Sequence, residues 1–165
     1  FDISYDHLFS KKIINDKIIF SKNKDFLNWR YKQHPTRKYE TFRYSEKNEL
    51  LAYIILKKTI FKNKQVVVIL DFIIHPKVTE YKEIIKFIFS ALNNYNENCV
   101  AAISTVNTGF REHEILKKVG FMRIPEIFKP EPFYFITSIL GLFEGHEKFE
   151  IFDNWFLSFG DYDVF

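Results

Sequence analysis

Three consecutive extended segments follow from the pattern of apolar and polar residues in the first half of the chain. Tyr39–Ser45 alternates, with Phe42 and Tyr44 on one face, and Leu50–Phe61 is apolar and β-branched at its centre, as strands are. Gln65–Ile74 is almost continuously apolar, which is typical of a strand buried on both faces. Because polar residues separate these segments, the pattern predicts a meander of antiparallel strands.

Helical periodicity lies on both sides of this meander. After Pro76, apolar side chains recur at the i, i+3, i+4, i+7 spacing of one helix face, which predicts a helix over Thr79–Tyr95. Upstream, Asp25 is a candidate N-cap for a helix through Phe26–Tyr31. Pro35 ends that helix, because the residue before a proline is pushed out of the helical region.

A strand, a polar turn and a helix with a glycine stop follow between residues 99 and 121. The strand is expected over Cys99–Val106. Lys117 and Lys118 favour the negative end of the helix dipole, and Gly120 can adopt the left-handed conformation that ends a helix. Residues 1–20 have no clean period and are expected to be irregular or a short helix. The remaining strand candidates are Phe121–Ile124, Phe133–Ile139 and Trp155–Phe159.

This order of elements predicts a mixed α/β fold in a single domain over residues 1–165. The strand–helix–strand–helix unit in the middle of the chain implies parallel pairing there, and the flanking antiparallel strands make the sheet mixed. A length of 165 residues and a hydrophobic fraction of 47% suit one folded domain. Since the chain begins at Phe1 rather than Met, we expect it to be a fragment of a longer chain.

Composition and charge restrict the partners. The net charge of +3 is mild, whereas nucleic-acid binding usually needs a concentrated basic face, so no nucleic acid is expected. The longest nearly uncharged run, Phe133–Phe143, is too short to span a bilayer. The single cysteine excludes an intramolecular disulfide and favours a reducing, cytoplasmic location. No metal-ligand spacing is present, so no metal is expected.

The helix ending Leu116–Phe121, together with the order of elements, resembles the GCN5-related N-acetyltransferase (GNAT) superfamily. Leucine, two lysines, an apolar residue and Gly-Phe recur at the end of the fourth helix in that superfamily. Phe26–Tyr31 with His34 and Pro35, and residues 154–163, look like the two ends of a divergent subset that lacks the glycine-rich phosphate loop. The resemblance implies a GNAT-like mixed sheet with helices on both faces, its first strand missing or within residues 1–20.

The resemblance also implies acetyl-CoA or another acyl-CoA as co-substrate. Its thioester arm would lie where Gln65–Ile74 and Cys99–Val106 splay apart, and its pyrophosphate at the start of the next helix, where free N–H groups favour an anion. The implied coenzyme-binding residues are Ile73, Ile74, Lys77, Val78, Thr79 and Asn107. Asn107 has a second interpretation, shared with Thr108, as the N-cap of the helix that follows.

Two departures from the family pattern bear on activity. Thr79 and Glu80 stand in the helix start where family members carry spaced glycines, which let the backbone approach the phosphates closely. Leu116 stands where many members have a tyrosine that protonates the leaving thiolate, and leucine has no proton to give.

Asp71 and His75 are the candidate general bases. Asp71 lies inside an otherwise apolar strand, where a carboxylate must be paired, hydrated or raised in pKa. Its alternative role is a structural salt bridge, to Arg43 or Lys57. His75 ends the same strand and is expected to face the same cleft, within reach of an attacking amine.

The resemblance implies an acyl-CoA-dependent N-acyltransferase acting on a small-molecule amine, such as an amino sugar or a cell-envelope precursor. Trp29 and Arg30 are the candidate substrate-binding residues; a core or cleft-wall position and a structural ion pair are their alternatives. Two other functions stay open: a degenerate, non-catalytic GNAT-like binding module, and one half of a tandem transferase with another activated donor such as aminoacyl-tRNA. A homodimer is one assembly that the chain could form.

Overall fold

The computed structural model describes residues 1–12, 17–124 and 145–162. In chain order the elements are α1 (Ile3–Lys12), β1 (Ile18–Ile19), α2 (Lys24–Leu27), β2 (Glu40–Glu46), β3 (Glu49–Phe61), β4 (Lys64–Ile74), α3 (Lys82–Tyr95), β5 (Ala101–Ser104), α4 (Arg111–Val119) and β6 (Trp155–Phe156). A π-helical turn, Asn28–Lys32, continues α2, and short 3-10 turns cover His146–Phe149, Phe152–Asn154 and Phe159–Asp161.

The sheet is mixed, with the strand order β2–β3–β4–β5. β2, β3 and β4 pair antiparallel, which confirms the predicted meander, and β4 pairs parallel with β5. Both hairpins close through a two-residue Lys-Asn turn with positive φ, 47° and 65° at Lys47 and Asn48 and 46° and 60° at Lys62 and Asn63. Such turns match the twist of the paired strands, and asparagine tolerates the conformation.

Helices cover both faces of the sheet, as expected for the predicted α/β class. Alternate residues of β4 face opposite sides, which explains why its sequence is apolar throughout. One core contains Leu8 of α1, Leu27 of α2 and Phe159 from near the C-terminal end. The other core contains residues of α3 and α4, among them Ile84 and Ile115.

Helix boundaries differ from prediction at their N-terminal ends. Asn23, not Asp25, caps α2, because its side chain accepts the Phe26 N–H at 2.9 Å. α3 begins at Lys82 rather than at Thr79. At the other end, the predicted glycine stop is confirmed: Gly120 has φ of 106°, and the next N–H donates to the Leu116 carbonyl at 3.0 Å.

Two predicted strands are corrected. Phe121–Ile124 forms no strand, and of Trp155–Phe159 only β6 is extended and paired, with a 3-10 turn directly after it. β6 pairs parallel with β1, so the start of the chain contributes α1 and a short strand outside the main sheet. Phe133–Ile139 lies outside the described residues.

Candidate functional site

β4 and β5 separate partway along their length. Their parallel pairing ends at Ile69 and Ser104, whereas β4 continues to Ile74. The separation starts at a bulge, because Ile55 and Leu56 of β3 face Asp71 and Ile69, which leaves Leu70 as an extra residue in β4. We call the space beyond Ile69 and Ser104 the β4–β5 wedge.

The wedge is filled by the chain itself. Glu112, at the start of α4, is fully buried, and its Oε1 accepts the backbone N–H of Ile74 at 3.2 Å. Lys12, the last residue of α1, donates to both carboxylate oxygens of Glu112 at 2.6 and 2.7 Å. Among the described residues, a cavity of about 10 Å³ lies between β4 and β5, room for about one water molecule. The described side chains, above all the Lys12–Glu112 pair, therefore occupy the part of the wedge next to Ile74.

The loop between β4 and α3, where a pyrophosphate was expected, is also closed by internal hydrogen bonds. The N–H groups of Lys77 and Val78 donate to Nδ1 and the carbonyl of His75, at 3.0 and 3.1 Å. Arg111 of α4 donates to the carbonyls of Pro76, at 2.8 Å, and of Val78. These contacts tie the loop to α4 and take up two of the N–H groups that would bind an anion.

The remaining predicted coenzyme-binding residues do not share one surface. Ile73 and Ile74 are buried in opposite cores, and Thr79 is exposed. Asn107 is not the helix N-cap, a position that Phe110 holds. Its side-chain amide donates to the Phe152 carbonyl at 3.4 Å instead.

Asp71 belongs to a buried ionic cluster. Its Oδ1 accepts from Lys22 Nζ at 2.9 Å and from Ser158 Oγ at 2.6 Å, and its Oδ2 accepts from the Tyr31 hydroxyl. The expected salt bridge is therefore present, but its partner is Lys22 rather than Arg43 or Lys57. Burial and the adjacent Asp71 carboxylate raise the pKa of Tyr31 well above its ordinary value.

Asp161 completes this cluster from the C-terminal side. One carboxylate oxygen pairs with Lys22; the other accepts the Ser158 N–H at 2.8 Å and lies 3.0 Å from the Ser158 hydroxyl oxygen, whose proton is donated to Asp71. Burial disfavours the charge on Lys22, but Asp71 and Asp161 outweigh burial and raise its pKa. Burial raises the pKa of Asp161. The cluster of Lys22, Tyr31, Asp71, Ser158 and Asp161 thus fastens the end of the chain to β4, and we call it the ionic cluster.

His75 lies apart from Asp71, at a different cavity. The residue is 8% exposed, its Nδ1 accepts the Lys77 N–H, and its Nε2 lies 3.4 Å from Glu49 Oε1. Burial lowers the pKa of His75. The two predicted bases therefore do not converge on one reacting centre, because Asp71 is enclosed and His75 borders a cleft beside α1.

Trp29 and Arg30 line a separate cavity of about 640 Å³, which we call the Trp29 cavity. Trp29 is 62% exposed, and its ring centroid lies 5.9 Å from that of Phe26. Arg30 Nη2 donates to the Tyr162 carbonyl at 2.7 Å, which holds the guanidinium at the cavity wall. The further lining residues are Phe20, Gln33, His34, Pro35, Gly160 and Asp161.

Lys22, Lys12 and Glu112 were not identified from the sequence. Lys22 pairs with the predicted base Asp71, and Lys12 and Glu112 occupy the wedge predicted for the coenzyme. Each is a charged residue in a polar stretch, and its partner is distant in sequence: 100 residues separate Lys12 from Glu112, and 139 separate Lys22 from Asp161. Within residues 1–12, 17–124 and 145–162, no group of three or more His, Cys, Asp or Glu could hold a metal ion. Over the same ranges, no helix is long and apolar enough to cross a membrane.

The chain matches no protein-family model and no curated protein. Solved structures similar to it include a GNAT family acetyltransferase from Staphylococcus aureus, at 20% identity over 79% of this chain and 92% of that one, with a TM-score of 0.47. A probable acetyltransferase matches at 16% identity over 61% and 70%, with a TM-score of 0.46. A possible acetyltransferase from Clostridium difficile matches at 14% over 64% and 69%, with a TM-score of 0.40. Each of these similarities is one of fold alone.

Proposed function

We propose that this domain is a GNAT-like binding module that holds a small ligand in the Trp29 cavity. The main support for this proposal is that side chains of the domain fill the β4–β5 wedge. Among the described residues, Glu112 binds the Ile74 N–H and the cavity between the strands measures about 10 Å³, so side chains of the domain itself occupy space that an acyl donor would need.

The Trp29 cavity suits a ligand with one apolar face. Its volume of about 640 Å³ is within the usual range for small-molecule sites, which are mostly apolar with a few placed polar groups. Trp29 offers an exposed ring, and the Gln33 and His34 side chains supply polar groups nearby. A sugar ring or a comparable amphipathic compound matches this combination.

Charge favours a neutral or anionic ligand over an ammonium. Both carboxylate oxygens of Asp161 are engaged, one by Lys22 and the other by Ser158. Arg30 places a cation on the same wall. Among residues 17–124 and 145–162, a charged amine would therefore find no available carboxylate at the cavity wall.

Fluorescence titration tests the proposal, because Trp29 is exposed in the cavity while Trp155, the second tryptophan, is buried and serves as a reference. The probes are N-acetylglucosamine, which is neutral, and glucosamine, which is cationic. We expect a saturable change with the neutral sugar and weaker binding of the cationic one. Because Trp29→Phe removes the fluorescent reporter, calorimetric titration measures binding to the variants: binding should weaken in Trp29→Phe and stay unchanged in Phe89→Ala, which alters an exposed aromatic on α3. Equal responses in both variants, or no saturable change with either sugar, would contradict the proposal.

Acyl-CoA-dependent N-acyltransfer to an amine is the second candidate function, and the early end of the β4–β5 pairing favours it. This function requires the Lys12–Glu112 pair to leave the wedge. An assay with acetyl-CoA and glucosamine, following release of the free thiol, tests it. Turnover that Glu112→Ala increases would support this second function, and turnover that is absent from both proteins would exclude it for this acceptor.

A further inference from the structure

A second cleft lies on the α1 side of the sheet, away from the Trp29 cavity. It has a volume of about 320 Å³ and lies between α1, the β2–β3 turn and the end of β4. One face of α1 forms its first wall, with side chains at the i, i+3, i+4 and i+7 positions of a helix. The other wall holds residues 47–50 and His75. We call it the His75 cleft.

Positive charge dominates the His75 cleft. Lys11 of α1 and Lys47 of the β2–β3 turn face it from opposite walls. The carboxylate of Glu49, the acidic lining residue, is already paired with Lys77 and lies 3.4 Å from His75 Nε2. Among the parts of the chain that the structure describes, neither Lys11 nor Lys47 has a carboxylate partner. Two lysines thus line the cleft, and the nearby carboxylate, Glu49, is hydrogen-bonded to Lys77 and acts on Lys11 only through its electrostatic field.

Hydrogen bonds hold the His75 side chain in a fixed position at the bottom of the cleft. His75 is mostly buried, and its Nδ1 accepts the Lys77 N–H at 3.0 Å, so a neutral ring carries its proton on Nε2. Leu8 and Leu50, both buried, support the walls below the charged groups. Burial lowers the pKa of His75; the Glu49 carboxylate opposes this shift, and the positive charges of Lys77 and Lys11 add to it.

We propose that the His75 cleft binds a small, multiply charged anion, either inorganic phosphate or the phosphate group of a small phosphorylated compound. Ammonium groups on two walls can each donate charge-assisted hydrogen bonds to phosphate oxygens. The volume of about 320 Å³ leaves room beyond one phosphate group for the rest of a phosphate monoester. This site is separate from the Trp29 cavity, and neither proposal depends on the other.

NMR titration of the His75 and His7 imidazole resonances tests the anion site, since both side chains line the cleft. The probes are inorganic phosphate and glucose 6-phosphate, against sodium chloride at equal ionic strength and constant pH. We expect saturable shifts with phosphate and none with chloride. Tighter binding of glucose 6-phosphate would assign the cleft to phosphorylated compounds, and equal affinity would assign it to free phosphate.

Two matched double variants separate specific binding from charge screening. Lys11→Gln/Lys47→Gln should weaken phosphate binding by at least about tenfold, because both charge-assisted contacts are lost. Lys64→Gln/Lys117→Gln removes the same net charge from exposed sites elsewhere and should leave the affinity unchanged. Circular dichroism confirms that each variant is folded. Absence of saturable shifts in the wild-type protein, or equal weakening in both double variants, would overturn the proposal.

Discussion

Replacing Lys22 with methionine tests how far the ionic cluster holds the fold together. Lys22 is completely buried and is shared by two carboxylates, Asp71 at 2.9 Å and Asp161. Methionine has a similar length but no charge, so the change leaves two buried carboxylates without a cation. Removing one partner of a buried ion pair typically costs about 3–5 kcal/mol. The domain should lose a large part of its stability, since whole domains are stable by only about 5–15 kcal/mol.

The pH dependence identifies the cause of this loss. The pKa of Asp161 is raised in the folded protein, so the folded state binds its proton more tightly than the unfolded state does. Without Lys22 that pKa should rise further, and the penalty should shrink as the pH falls from 7 towards 5. The double variant Lys22→Met/Asp161→Asn should be more stable than Lys22→Met at pH 7, because one uncompensated charge is removed.

Urea denaturation followed by circular dichroism measures these effects. Lys64→Met is the matched control, because Lys64 is exposed in the β3–β4 hairpin and should change the free energy of unfolding by less than about 0.5 kcal/mol. A loss below about 1 kcal/mol for Lys22→Met at pH 7, or a loss that does not shrink at pH 5, would refute a structural role for the ionic cluster.

Three further predictions concern stability. In Gly160→Ala, the new Cβ would lie 2.8 Å from the Asp71 carboxyl carbon, so urea denaturation should show a loss of about 1–3 kcal/mol; an unchanged midpoint would contradict the packing. Gly120→Ala should lower the free energy of unfolding by about 1 kcal/mol in the same measurement. The cause is the left-handed backbone conformation alone, since nothing lies within 4 Å of the added Cβ. The lowered pKa of His75 means that the unfolded state binds its proton more readily, so stability should fall as the pH drops below about 6.5. Unfolding curves at several pH values should show that the free energy of unfolding depends less on pH in His75→Gln than in the wild-type protein. The same pH dependence in both proteins would show that His75 does not cause the loss of stability.

Local signals predicted most of the fold. The continuous apolar run of β4, the helical spacing in α3 and the glycine that ends α4 each depend on neighbours in sequence, and the structure confirms all three. The predicted boundaries that were wrong depend on side-chain capping of helices and on the pairing of strands. Asn23 rather than Asp25 caps α2, and Phe121–Ile124 pairs with no strand within the described ranges.

The candidate site was harder to predict because distant residues decide it. Asp71 stood out as a charge in an apolar strand, but nothing near it in sequence identifies Lys22 as its partner. Lys22 resembles the neighbouring Lys24, and its burial depends on Asp161, 139 residues further along the chain. Glu112 likewise lies among other charged residues of α4, and its burial depends on Lys12, 100 residues away.

Calorimetric titration with acetyl-CoA tests most directly whether the β4–β5 wedge is closed. We expect no heat of binding for the wild-type protein at millimolar ligand, because Glu112 binds the Ile74 N–H and the cavity between the strands measures about 10 Å³ among the described residues. Saturable one-to-one binding, weakened by a bulky substitution in the wedge such as Ser104→Trp, would show that coenzyme enters between β4 and β5 and would contradict the account.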